Sequence, residues 1–287
     1  MRTFYYVHTG HRIGLDRFRR ATTILRALND ENITLLSSDF RIAQIARDFG
    51  VRDCVGLDVV RNIPQIAHHG DKLIFDSDEA NPIMLDDMRN FFSSFIRISD
   101  RMDDKKAEKE YLISPYLKGE NICNTLVVDD KYFGDFNKTV EISFFFGDDD
   151  YEKDLEKNLN ILEGLTVDLQ LGFYYFLDYE ELLKQKFSHY FEFEEYDEMI
   201  QSTKILITSS PQATLENLAS GGTPIYLQRE DYTTDFIEIF KHLHIPVVHN
   251  YHKEELHNII KNIDTISYTS PEKMGDLLAN FLKEILY

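Results

Sequence analysis

ILITSSPQATLENLASGGTPIYL, Ile205 to Leu227, is the stretch whose reading decides the fold class. Two short apolar runs, Ile205–Ile207 and Pro224–Leu227, each suit a strand buried on both faces, as in a parallel sheet. Between them a polar turn, Thr208-Ser209-Ser210-Pro211-Gln212, leads into a helical pattern. Leu215, Leu218 and Ala219 recur at i, i+3 and i+4 and give that helix an apolar face. Gly221-Gly222 ends it, as a left-handed C-terminal cap does. The result is strand, turn, helix, strand. Such a unit points free backbone N–H groups and hydroxyls at the space beyond the sheet edge, where an anion or nucleotide binds. Glu216 reaches the same space from the first turn of the helix. A plainer reading stands beside this one. Ser and Thr are ordinary N-caps, and Glu suits the positive end of a helix dipole.

The same rhythm runs along the chain. Thr3–Val7 is a compact strand of β-branched and aromatic residues. A loop with two glycines follows, His8-Thr9-Gly10-His11-Arg12-Ile13-Gly14-Leu15, and then a helix capped by Asp16, with Phe18, Ala21, Thr22, Leu25 and Leu28 inward. Strands are expected at Ile33–Leu36, Cys54-Val55, Lys72–Phe75, Leu112-Ile113 and Thr125–Val128, and a helix over 39–49 closed by Gly50. Phe91–Ile98 suits either helix or strand. Lys72–Phe75 runs into Asp76-Ser77-Asp78-Glu79, carboxylates at the end of a parallel strand, where ligands bind in such sheets; they equally suit a capped turn. Asp129–Lys138, polar and with Gly134, marks the expected boundary between domains 1–136 and 137–287.

The second half restarts with a strand at Val140–Phe146 and a helix over Tyr151–Leu162. The next strand is Thr166–Leu171 or Tyr174–Leu177. A helix over Glu180–Phe187, a strand at Tyr190–Phe193 and a helix over Tyr196–Gln201 lead into the opening unit. Beyond it come a helix over Thr234–His242, a strand at Ile245–Val248 and a helix over Glu254–Ile263. A last helix is read over Pro271–Leu286, and it can pack back on the first domain. Strands alternating with helices mean an α/β protein with parallel sheets.

Composition sets limits. The 287 residues fit two ordinary domains, and 43% hydrophobic content is enough for real cores. A formal net charge of −19 argues against nucleic acid and against a polybasic membrane anchor, since both need Lys/Arg surfaces. It leaves room for a local basic pocket. Cys54 and Cys123 lie far apart without metal-ligand spacing and read as small core residues in a reducing compartment. His68-His69 and His242/His244 have no third ligand nearby, so neither a metal nor a cofactor is expected. The start MRTFYYVHTG lacks the apolar core of a signal peptide, and no run of about 18 apolar residues would span a membrane. The expected location is cytoplasmic.

Two Rossmann-like halves with this loop in the second resemble glycosyltransferases of the GT-B fold. The nearest likenesses are to the transferase that adds N-acetylglucosamine in peptidoglycan lipid synthesis and to the UDP-sugar hydrolase of pseudaminic acid biosynthesis. The hydrolase carries Ile-Gly-x-Gly-His-x-x-Arg opening a helix, and the matching stretch here is Ile13-Gly14-Leu15-Asp16-Arg17-Phe18-Arg19-Arg20. Its second domain carries a Ser-rich turn before a helix with a Glu, matched by Ser209, Ser210, Thr214 and Glu216. The resemblance implies two Rossmann-like domains facing each other across a cleft. It also implies a UDP-linked nucleotide sugar held by Gly14, Ser209, Ser210, Thr214 and Glu216, with Glu216 at the ribose. The reaction would be transfer or hydrolysis of a sugar in bacterial surface or flagellar glycan synthesis, with His11, Arg17 and Asp76 as the catalytic set and Arg17 or Arg20 offsetting diphosphate charge.

The chain departs from that pattern in three places. Asp16 replaces a glycine and Arg17 a histidine; a guanidinium cannot act as a general base. After Val140–Phe146, where relatives have a glycine turn, the sequence is Gly147-Asp148-Asp149-Asp150. Like charges near a diphosphate repel by roughly 4 kcal/mol at 4 Å and an effective dielectric of about 20. The same aspartates also suit helix capping. Thr9-Gly10-His11 partly resembles the Thr-Gly-Gly-His loop of the lipid-pathway transferase and offers His11 as a base. The departures keep an alternative open: a GT-B-like protein without catalysis that recognises a protein partner.

Overall fold

The computed structural model describes residues 1–30, 32–79, 81–174 and 176–287, and the chain divides into two compact units. The first takes in Met1–Gly10, Arg17–Val127 and Met274–Tyr287; the second takes in His11–Asp16 and Val128–Lys273.

The first unit is a seven-stranded, wholly parallel sheet in the order β3-β2-β1-β4-β5-β6-β7. Its strands are β1 (Thr3–Val7), β2 (Ile33–Ser37), β3 (Cys54–Gly56), β4 (Lys72–Asp76), β5 (Ser94–Ile98), β6 (Tyr111–Ile113) and β7 (Ile122–Cys123). Crossovers run through α1 (Asp16–Leu28), α2 (Phe40–Ile45), α3 (Ile63–Ile66) and α4 (Pro82–Phe91). Phe4, Tyr6, Leu36, Leu73, Phe75 and Phe95 form a core on one face of the sheet, which is why these strands read as continuous apolar runs. The strand order reverses between β1 and β4, the switch point at which open parallel sheets leave a crevice.

The second unit is a six-stranded parallel sheet in the order β10-β9-β8-β11-β12-β13. Its strands are β8 (Val140–Phe145), β9 (Asp168–Gln170), β10 (Tyr190–Phe191), β11 (Thr203–Thr208), β12 (Ile225–Gln228) and β13 (Val247–His249). The helices are α5 (Asp154–Asn158), α6 (Leu177–Lys186), α7 (Tyr196–Ser202), α8 (Pro211–Ala219), α9 (Ile237–His242) and α10 (Lys253–Lys261). The last helix, α11 (Gly275–Leu286), belongs to the first unit: Lys72 Nζ donates to the Leu286 carbonyl, and the Phe281 ring meets Tyr111. The second switch point lies between β8 and β11, paired in register Phe145↔Thr208. That register brings the turns Gly147–Asp150 and Ser209-Ser210 to the same sheet end.

Several expectations need correction. Thr125–Val128 is not a strand; the seventh strand is the two-residue β7, and the chain leaves the sheet after Cys123. The helix expected from Tyr151 begins at Asp154, because Lys153 is left-handed (φ 57°) and the Asp150 carboxylate accepts from the Asp154 and Leu155 amides. A 3-10 turn, Leu159–Leu162, completes that helix. The last helix begins at Gly275, four residues beyond Pro271. Phe91–Ile98 divides: the helix ends at Phe91 and the strand begins at Ser94. Thr166–Leu171 supplies β9; of the alternative Tyr174–Leu177, Tyr175 lies outside the described residues. Among the described residues no helix is long and apolar enough to cross a membrane.

Candidate functional site

α8 starts cleanly for local reasons. Ser210 is extended (φ −86°, ψ 116°), its hydroxyl accepts from the Ala213 amide, and Pro211 occupies the first turn. Ser220 and the left-handed Gly221 (φ 78°) end the helix. Gly222 is fixed by space: a Cβ there would lie 2.3 Å from Asn217 Oδ1. The helix is buried on every side, since Gln212, Thr214, Glu216 and Asn217 are buried along with Leu215 and Leu218. The three-residue apolar face read from sequence therefore underestimates its burial.

Gln212, Thr214 and Glu216 of this buried helix have specific partners. Thr214 Oγ1 donates to the Ser210 carbonyl at 2.8 Å. Glu216 is 1% exposed; Oε2 accepts from the Tyr196 hydroxyl and Oε1 from Gln212 Nε2, both at 2.8 Å. The Ser209 amide donates to the Phe145 carbonyl, while its hydroxyl is buried with no hydrogen-bond partner among the described residues. The N-terminus itself already holds an anion. Ser210 Oγ donates to Asp16 Oδ1 at 2.6 Å, and the Gln212 amide donates to Asp16 Oδ2 at 3.1 Å. Asp16 belongs to the second unit, and its carboxylate caps α8 across 194 residues of sequence.

The aspartate triplet after β8 is equally engaged. Asp148 Oδ1 accepts from the Phe173 amide at 3.0 Å. Asp150 caps α5 and accepts from the Tyr179 hydroxyl. Asp149 pairs with Arg229 Nη1 at 3.0 Å and accepts from the Tyr232 hydroxyl at 2.7 Å; the side chains of Asp149 and Arg229 are 5% and 4% exposed. Burial pushes the Asp149 carboxyl up to about 6, against the Arg229 charge and the Tyr232 hydrogen bond that pull it down. Arg229 also grips Asp231 at 2.6 Å and lies over the Phe146 and Tyr232 rings. Gly14, at φ 85°, passes beside this pair: a Cβ on it would sit 3.7 Å from the Asp149 Cβ. His11 packs its ring on Tyr151, centroids 5.3 Å apart, and the Arg12 guanidinium lies 4.0 Å from the centre of the same ring.

The turn at Gly147-Asp148 has little slack. A Cβ on Gly172 would lie 2.4 Å from the Gly147 carbonyl oxygen and 3.0 Å from the Asp148 Cα. Backbone atoms cannot rotate away, so Gly172→Ala is expected to cost about 1–3 kcal/mol. The loss should appear as a lower urea midpoint and faster amide exchange over 147–150. Wild-type stability in this variant would show that the turn has room to move.

In the first unit, Asp76 ends β4 and is 1% exposed. Arg20 grips it in a fork, Nε to Oδ2 at 3.0 Å and Nη2 to Oδ1 at 2.6 Å, and Arg20 Nη1 also reaches both oxygens of Asp100. The Tyr5 hydroxyl donates to Asp76 Oδ2 at 3.2 Å, and Arg17 Nε stands 3.9 Å away. Arg17 binds Asp78 through both terminal nitrogens, and His8 Nδ1 meets the same carboxylate at 2.6 Å. The His8 hydrogen bond and the Arg17 charge hold the Asp78 carboxyl well below the usual carboxylate range. Arg20, offered from sequence as a partner for diphosphate, is committed to two carboxylates.

The structure thus gathers the sequence candidates in two places. Gly14, Ser210, Thr214 and Glu216 lie around α8 and the turn after β8. Arg17 and Asp76 lie at the switch point of the first sheet. Asp16 and Asp149 read in sequence as helix caps and as departures from the resembling motifs, and Arg229 and Tyr232 are not singled out there. The available signal for Arg229 was a charged residue directly following the buried run Ile225–Gln228.

No protein-family model and no curated protein sequence matches the chain. Solved structures do match its fold along its whole length. Anabaena Alr3699/HepE in complex with UDP-glucose superposes with a TM-score of 0.61 at 10% identity, covering 100% of this chain and 94% of that one. The UDP-GlcNAc 2-epimerase of Methanocaldococcus jannaschii, in complex with UDP-GlcNAc and UDP, gives 0.62 at 12% identity, covering 100% of both chains. The spinosyn forosaminyltransferase SpnP gives 0.57 at 10% identity, covering 100% of this chain and 94% of that one. The chain therefore has an α/β fold of the GT-B type, with two Rossmann-like units.

Proposed function

We propose that this chain binds a UDP-linked sugar in its second unit, at the carboxyl ends of β8, β11 and β12, and transfers or hydrolyses the sugar in bacterial surface or flagellar glycan synthesis. One observation carries the reading. The α8 N-terminus, beside the switch point, holds an oxyanion through the Ser210 hydroxyl and the Gln212 amide. A diphosphate oxygen calls for the same donors. Support comes from neighbours of this fold whose structures contain UDP, UDP-glucose or UDP-GlcNAc. The reaction is displacement at the anomeric carbon with the nucleoside diphosphate leaving. Imidazole is the commonest general base, so of His11, Arg17 and Asp76 the proton transfer falls to His11.

A second reading, a chain of this fold that binds a partner without catalysis, is favoured by the sealing of Glu216, whose two oxygens are taken by Tyr196 and Gln212. A ribose contact through Glu216 would require one of those bonds to open. Calorimetric titration with UDP, UDP-glucose and UDP-GlcNAc, with and without Mg²⁺, decides between them when followed by an assay for UDP release. Saturable binding with release of UDP supports the enzyme. Binding without release supports the second reading in its ligand-binding form. No heat with any nucleotide near a millimolar overturns the nucleotide site.

A further inference from the structure

The seat at the α8 N-terminus is occupied by the chain's own carboxylate, and its surroundings are built for an anion. Ser210 and Gln212 supply two donors to Asp16. Arg229 supplies a buried guanidinium to Asp149. Gly14 stands two residues before Asp16, and a Cβ added to it would meet the Asp149 Cβ at 3.7 Å, so both carboxylates belong to one locality. A second observation marks that locality as a ligand site. The Tyr226 hydroxyl, on a side chain with no exposed surface, has no hydrogen-bond partner among the described residues. Tyr226 lies opposite Thr208 in the β11–β12 register, one residue before the Ser209-Ser210 turn, and the charges of Asp16, Arg229 and Asp149 act on its hydroxyl. A buried hydroxyl left unpaired costs stability, and a ligand oxygen would satisfy it.

We propose that Asp16 is a resident anion that occupies the diphosphate seat of the second unit, so that a nucleoside diphosphate binds there only by displacing it. The inference rests on the reading that this unit takes a nucleotide sugar. The physical reason is competition. The dipole and donors of one helix terminus hold one oxyanion well, and a diphosphate brought beside an unmoved Asp16 meets a like charge. The left-handed Gly14 gives the segment a backbone that can re-route when Asp16 leaves. Asp16 then acts as a specificity-determining residue: it sets how strong an anion must be to enter.

Titration calorimetry on the full chain tests this with wild type, Asp16→Asn and Asp16→Ala, each against UDP and, separately, inorganic pyrophosphate. Asp16→Asn keeps the shape and removes the charge, so it serves if Asp16→Ala folds poorly. Both variants are expected to bind UDP and pyrophosphate about tenfold tighter than wild type, or more, the scale of one partly buried charge at a helix end. Equal affinity for UDP in wild type and variants overturns the resident-anion role and leaves the nucleotide reading standing. Tighter pyrophosphate binding in the variants with no UDP binding in any protein supports Asp16 as occupant and overturns the nucleotide reading. No binding of either anion by any of the three overturns both.

Discussion

Replacing Arg229 with methionine is expected to lower stability by about 2–3 kcal/mol near pH 8, because it strands a buried carboxylate. Arg229 and Asp149 are both almost completely buried and lie 3.0 Å apart. Methionine fills much of the arginine's volume and keeps contact with the Phe146 and Tyr232 rings, so the loss is electrostatic rather than a cavity. Asp149 would keep the Tyr232 hydroxyl and lose the guanidinium. The sign of the pH dependence follows from burial. In wild type the folded carboxyl is already pushed up to about 6, and removing the guanidinium sends it higher. A carboxyl raised in the folded state contributes stability that is full below its unfolded value of about 3.9 and is lost as pH rises through the folded value. Wild type has spent that loss once the pH passes its folded value, while the variant goes on losing stability at higher pH. The cost of Arg229→Met should therefore be small near pH 5 and full near pH 8. Urea midpoints at the two pH values, with amide exchange over 140–145 and 225–228 as a local probe, measure it. A cost independent of pH would mean that Asp149 is not the group left stranded. The double variant Asp149→Asn/Arg229→Met should recover most of the loss.

Elements came through from sequence wherever the signal was local. The unit around α8 is bounded by a Ser-Pro start and a Gly-Gly end and flanked by runs apolar on both faces, and its strands and helix fall within a residue or two of expectation. The segment from Asp39 to Gly50 behaved likewise: Asp39 accepts from the Arg41 amide and Gly50 closes the turn at φ 80°. Misreadings arose where pairing or side-chain chemistry decides. Thr125–Val128 has the composition of a strand, but β6 is three residues long and its pairing with β7 ends at Ile113↔Cys123. Tyr151–Lys153 suits a helix by periodicity, yet the Asp150 carboxylate caps amides four and five residues later.

The candidate site divides along the same line. Ser210 as N-cap follows from its place before Pro211. The occupant of that cap does not, because Asp16 is 194 residues away and reads locally as the cap of its own helix. The Asp149–Arg229 pair spans 80 residues and is likewise silent in sequence. Three successive aspartates read as one block of negative charge; in the structure they have three separate tasks, set by the amide of Phe173, the guanidinium of Arg229 and the N-terminus of α5.

Arg20→Met in the first unit is the second large effect, expected at about 3–5 kcal/mol. Arg20 binds Asp76 at the end of β4 and Asp100 just beyond β5, so one guanidinium neutralises the ends of two neighbouring strands. Burial disfavours the Arg20 charge, and Asp100 and Asp76 more than offset that, holding its pKa well above the ordinary value. Without it, Asp76 retains Tyr5 at 3.2 Å and Arg17 at 3.9 Å, and two carboxylates face each other without their shared cation. Arg20→Lys keeps the charge but loses the planar fork that serves three hydrogen-bond directions at once, so it should recover only part of the loss. A double-mutant cycle with Asp76→Asn isolates the pair: a coupling of about 2 kcal/mol or more is expected for groups in one buried network. A chain of two units need not melt in a single transition. Amide exchange over 72–76 and 94–98 therefore reports the loss where it arises, while 205–208 in the second unit should stay near wild type. Additive single variants, or protection lost equally in both sheets, would remove Arg20 as the clamp of β4 and β5.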